Sequence, residues 1–172
     1  LGYSVFNSNY ITYVKIPKTI KNMNIYYYIN RGEYRSAFNE CKNLEKVEFE
    51  EGIEEIPNDA LRYCESIKEV IIPQSVTNIG SSAFSGCTAL ENIKLSDGIT
   101  SIGGSAFDGC TALENIKLPD GITTIGDYAF YGCTNLKDIS LPSQLKNLGY
   151  SVFNSNYITY VKIPKTIKNM NI

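Results

Sequence analysis

The five cysteines of this chain, Cys41, Cys64, Cys87, Cys110 and Cys133, are separated by 23 residues at every step. Such a fixed period is the mark of a repeat architecture and not of a disulfide framework. Within the unit that begins at Cys87, Leu90, Ile93 and Leu95 are spaced so that Ile93 and Leu95 share one side of a strand while Asn92 and Lys94 share the other. Asp97-Gly98 is a turn signal, and it is followed by Ile99, Ile102, Gly103 and the pair Ala106-Phe107. The unit therefore reads as a strand, a turn, a second short segment that is extended or helical, and a tight bend back. One such unit cannot bury its own apolar face, so units must stack, with strands about 4.8 Å apart in a parallel sheet. The expected product is a solenoid of about seven coils running through residues 1–172.

Stacking turns each apolar position into a column. Phe6, Phe38, Phe84, Phe107, Phe130 and Phe153 occupy one column, with Leu61 in the remaining coil; Val14, Val47, Val70, Ile93, Ile116, Ile139 and Val161 occupy the strand column. Gly2, Gly80, Gly103, Gly126 and Gly149 recur after the second apolar pair, where either a positive φ or a close backbone approach calls for glycine. Parallel side chains from successive coils do not converge as metal ligands do, so the cysteines are expected to be buried free thiols that behave as small apolar residues.

The pattern L-x-x-I-x-L-P-x-x-I-x-x-I-G-x-x-A-F-x-x-C, clearest from Leu113 to Cys133, resembles the 23-residue BspA-like class of leucine-rich repeats. Departures are local: Glu50 and Ser96 stand where Pro73, Pro119, Pro142 and Pro164 stand in other coils. The resemblance implies a right-handed leucine-rich-repeat solenoid with a parallel β-sheet on its concave face and short helical or irregular convex segments. It also implies an extracellular or cell-surface setting, since that family is mostly made of surface-exposed microbial binding and adhesion proteins.

Two features break the regular period. Between Met23 and Ala37 one step carries ten extra residues, spanning 24–36 and including Tyr26, Tyr27, Tyr28 and Tyr34. Tyrosine and arginine there match the composition of interface hot spots, and the same tyrosines would equally pack a short strand on the neighbouring coil. Residues 148–172 repeat residues 1–25 without a single difference, at an offset of 147. Exposed positions match as well as core ones, so either the parent is a tandem array of 147-residue units or the chain overlaps itself by being cut or built that way. The expectation is that the chain starts and stops mid-array, and that uncapped terminal coils lead to end-to-end self-association.

Chemistry finds little support. There is no histidine, which removes Ser-His-Asp and Cys-His nucleophile systems and histidine acid–base catalysis. The net charge of −2 supplies no overall basic field for nucleic acid, and no apolar run is long enough for a membrane span. No phosphate loop, EF-hand or dinucleotide fingerprint is present. The chain is thus expected to be no enzyme and to take no cofactor or metal. What remains is the outward side of the strands. One column there holds Tyr13, Lys46, Glu69, Asn92, Asn115, Asp138 and Tyr160, and the next holds Lys15, Glu48, Ile71, Lys94, Lys117, Ser140 and Lys162. Solenoids place binding surfaces at such positions. With the tyrosines of the insertion, these columns are the candidate surface for a protein or glycan partner; the alternative is a stalk or spacer with no ligand of its own.

Overall fold

In the computed structural model, residues 10–20, 26–28, 33–35, 38, 41–154 and 157–170 are described. The expected strand register is present. Strands β1 (Tyr13–Ile16), β4 (Lys46–Phe49) and β6 (Glu69–Ile71) form a parallel three-stranded sheet in the order β1-β4-β6. Val14 lies opposite Val47 and Val47 opposite Val70, so the 33-residue step and the 23-residue step are both accommodated without a slip. Beyond β6 the same face continues as isolated parallel bridges, Ile71 to Lys94, Asn92 to Asn115 and Asn115 to Asp138. Between β1 and β4, the insertion folds as an antiparallel hairpin of β2 (Tyr26–Tyr28) and β3 (Glu33–Arg35), with Tyr27 opposite Tyr34.

The more continuous ladder is the second one. The segment read as extended or helical is extended in every described coil: β5 (Glu55–Ile56), β7 (Asn78–Ile79), β8 (Ser101–Ile102), β9 (Thr124–Ile125), β10 (Asn147–Leu148) and β11 (Asn169–Met170) make a parallel six-stranded sheet. Each is only two residues long. Its isoleucine is buried in the β5, β7, β8 and β9 coils, while the preceding polar residue faces outward. Two residues per coil suffice because the neighbours above and below supply the hydrogen bonds, as in Thr100 N–H to Thr77 C=O and Thr123 N–H to Thr100 C=O, both 2.8 Å.

The expectation of helical convex segments is corrected: among the described residues there is no helix, and the Ala-Phe-x-x-Cys segment is a run of turns. Its amides alternate in their partners. Ser82, Phe84 and Gly86 donate to the carbonyls of Gly104, Ala106 and Asp108 in the next coil, whereas Ala83, Ser85 and Cys87 donate three residues back within their own coil. A helix would send every amide back along its own axis. Left-handed φ values interrupt that path, at Ser82, Ser105 and Tyr128 (54°, 53° and 58°) and again at Gly86, Gly109 and Gly132. The positive φ therefore does not fall on the column of Gly80, Gly103, Gly126 and Gly149. Those glycines serve the other expected role: a Cβ on Gly103 would lie 2.6 Å from the backbone nitrogen of Ser81, one coil below. Gly2 and Phe6 lie outside the described residues.

Side chains inside the coils form one continuous core from Ile16 to Val152. Rings Phe84 and Phe107 stack at 5.2 Å, Phe107 and Phe130 at 5.2 Å, and Phe130 and Phe153 at 5.8 Å. That spacing follows the strand separation of about 4.8 Å. Leu61 fills the column below Phe84 and is fully buried. Ser96, the buried exception in the proline column, donates its hydroxyl to the Val76 carbonyl at 2.8 Å, so its polar atom carries no unmet bond.

All five cysteines are buried and free. Cys87, Cys110 and Cys133 donate their thiols to the carbonyls of Leu61, Phe84 and Phe107 at 3.2, 3.1 and 3.1 Å. Burial pushes the Cys87 and Cys110 thiols well above the usual value near 9, and Cys133 up to about 12. The folded chain thus keeps protons that the unfolded chain releases above pH 9, so the thiols' share of stability is complete below that pH and is lost toward pH 12.

Two outcomes follow. Phe107→Ala should lower unfolding stability by about 3–5 kcal/mol in urea titration, since rings on both sides prevent collapse of the cavity. A thiol reagent at about pH 8 should label few cysteines in the native protein and five in urea. The urea midpoint should fall as pH is raised above 9.

Candidate functional site

The strand register sets the candidate columns side by side. Tyr13, Lys46 and Glu69 are successive partners, as are Lys15, Glu48 and Ile71, and the bridges carry the columns on through Lys94 and through Asn92, Asn115 and Asp138. The geometry divides this face into two chemically different halves.

In the half built by β1, β4 and β6, neighbouring coils neutralise one another. Lys15 Nζ lies 2.6 Å from Glu48 Oε1, and the Tyr13 hydroxyl donates to Glu48 Oε2 at 2.7 Å. Lys46 Nζ lies 2.9 Å from Glu69 Oε2, and beside it Lys68 meets Glu45 at 2.8 Å. The hydrogen bonds from Lys15 and Tyr13 hold the Glu48 carboxyl below its usual range, and that same carboxylate raises the Lys15 ammonium and the Tyr13 phenol. These exposed pairs contribute little to stability; their consequence is that the groups are already occupied.

The half from Asn92 to Ser140 is different. Asn92, Lys94, Asn115, Lys117, Asp138 and Ser140 are all exposed, and among the described residues their side chains make no hydrogen bond or ion pair. Two open clefts lie along them. One of about 660 Å³ is lined by Asn115, Lys117, Asp138 and Ser140 together with Asp97 and Asp120, and one of about 450 Å³ by Glu69, Ile71, Asn92 and Lys94. Ile71, 37% exposed, is an apolar spot between Glu48 and Lys94. Asp97 and Asp120 were legible only as turn residues; their Asp-Gly turns bring both carboxylates to the cleft. Among the described residues, no group of three or more Cys, Asp or Glu side chains is placed to hold a metal ion.

Other candidates are not gathered onto this half. Tyr160 and Lys162 are exposed but belong to no strand. Tyr26, Tyr27, Tyr28 and Tyr34 are brought together by backbone pairing in the β2-β3 hairpin. An aromatic cluster that the sequence reading missed lies on the turn segments. Tyr128 meets Tyr131 edge-on at 5.8 Å and Tyr150 at 5.5 Å, with Tyr128 and Tyr150 exposed. Its signal was available, because Tyr128 and Tyr131 replace Ser105 and Asp108 of the preceding coil.

The architecture can be set beside known proteins. The profile of the BspA type leucine rich repeat region matches six copies, over residues 1–110 and 54–171. Among solved structures, a leucine-rich repeat protein from Bacteroides ovatus shares 34% identity over 76% of this chain, with a TM-score of 0.59. The leucine-rich repeat protein of T. pallidum shares 29% over 83%, with a TM-score of 0.68, and a leucine rich cell surface protein from Faecalibacterium prausnitzii shares 28% over 87%, with a TM-score of 0.69. This chain spans 31% of the first protein, 69% of the second and 38% of the third. No curated protein matches it. With the stacked 23-residue coils, the phenylalanine column and the two parallel ladders in place, the chain belongs to the BspA-type leucine-rich repeat family.

Proposed function

We propose that this repeat module binds an extended protein or glycan partner at a bacterial cell surface, without catalysis, and that the partner lies along the strand face from Ile71 to Ser140. The observation that carries this reading is the contrast between the two halves of the face. Tyr13, Lys15, Lys46, Glu48 and Glu69 satisfy one another, whereas Asn92, Lys94, Asn115 and Lys117 stand unengaged beside open clefts. Amides, ammonium groups and carboxylates in a shallow trough suit hydroxyl-rich or peptide ligands, with Ile71 as an apolar contact. The surface setting draws support from the F. prausnitzii neighbour, described as a cell surface protein. A spacer role is favoured by one other observation, the 25-residue identity at an offset of 147, which suits a tandem array.

Protein and glycan arrays, followed by surface plasmon resonance, test the reading. Replacing Lys94, Asn115 and Lys117 together by alanine should weaken a captured partner at least about tenfold, or about 1.4 kcal/mol. Lys15→Ala should change affinity less than about twofold, because Lys15 is engaged by Glu48. Equal loss in both variants, or no ligand on either array, would favour the spacer. In the same assay, Tyr27→Ala with Tyr34→Ala separates a hairpin that contacts the ligand from one that packs.

A further inference from the structure

Residues 157–163 have the same sequence as residues 10–16, Tyr-Ile-Thr-Tyr-Val-Lys-Ile, but the two copies lie in different surroundings. The first copy includes β1 and is covered by β4. Ile16 faces Phe49 in register and is 1% exposed, the Lys46 and Glu50 amides donate to the Thr12 and Ile16 carbonyls, and Lys15 pairs with Glu48. The second copy has its chain docked on one side only. Lys168 and Asn169 donate to the Lys146 carbonyl, and β11 pairs with β10. Its other side is uncovered: Ile163 is 54% exposed and Tyr160 74%, against 46% for Tyr13.

We propose that residues 157–163 of one copy dock on β4 of a second copy, taking the place of that copy's own residues 10–16, so that chains join head to tail. The complementarity is already present in the chain, since β4 holds this seven-residue sequence in β1. Direct stacking of two intact ends would instead set one Tyr-Ile-Thr-Tyr-Val-Lys-Ile segment against another, a contact that the fold nowhere makes. Exchange removes one β1–β4 contact and forms an identical one, buries Ile163, and releases a terminal segment. At each joint the 147-residue offset continues unbroken from one chain into the next. The contact is heterologous, so a dimer keeps one free face of each kind and growth continues to longer species. Joining is slow, because residues 10–16 must first leave β4.

The test uses the full 172-residue chain. Sedimentation velocity after incubation over a range of concentrations should show dimers and longer species growing with concentration. Ile163→Asp should stay monomeric with an unchanged circular dichroism spectrum, since the substituted side chain is already half exposed in the monomer. Mixing Lys162→Cys with Glu48→Cys chains and adding a short bis-maleimide should yield a crosslinked heterodimer that neither variant gives alone, mirroring the Lys15–Glu48 pair across two molecules. A monomer at every concentration, association of Ile163→Asp equal to that of the parent, or failure of the mixed crosslink would each overturn the proposal.

Discussion

Every other feature of this molecule depends on backbone hydrogen bonds that pass between coils. No coil can satisfy its own amides. In the turn segments, donors of one coil reach up to the next, as Ser82, Phe84 and Gly86 do; in the second ladder they reach down, as Thr100 and Thr123 do. Bonds running in both directions clamp each coil at the same height around its circumference. A coil one residue longer or shorter would break one set or the other, and this is why 23 residues recur and why phenylalanine, cysteine and glycine line up. The close approach at Gly103, where a Cβ would meet the backbone of the coil below, is the same constraint seen at one atom.

Fixing the inside in this way leaves the outside free to vary. The side chains inward of the strands are nearly interchangeable from coil to coil, whereas those outward change from Tyr13, Lys46 and Glu69 to Asn92, Asn115 and Asp138. In a parallel ladder, outward neighbours are one strand spacing apart, so opposite charges in adjacent coils find each other, as Lys15 finds Glu48 and Lys46 finds Glu69. Where adjacent coils carry amides or like charges, as at Asn92 and Asn115 or Lys94 and Lys117, the groups remain available. Recognition chemistry in this module is thus a matter of which outward pairs fail to neutralise.

Much of this was legible in the residues. The columns, the buried thiols, the strand register across the 33-residue step and the family all followed from spacing and pattern. Two things did not. The convex segments were expected to include helix, because a period of apolar residues reports which side is buried and not where the amides bond; alternate amides in fact leave the coil. The glycine column could be assigned only to one of two roles, since positive φ and close approach select the same residue, and the structure places the positive φ two positions later, on Ser82, Ser105 and Tyr128. Asp97 and Asp120 were read as turn formers alone, because cleft lining depends on the neighbouring coils.

The amino-acid sequence by itself determined the period, the identity of each column and the presence of a stacked parallel fold, since burial of one face every 23 residues admits no other arrangement. The tertiary structure alone decided what any given segment does. Residues 10–16 and 157–163 are the same seven amino acids, yet Ile16 is core and Ile163 is surface, and only the first copy forms a strand of the β1-β4-β6 sheet. The difference lies in whether a following coil is present to supply β4's amides and Phe49, because in a solenoid a residue's environment is set by its neighbours one layer away.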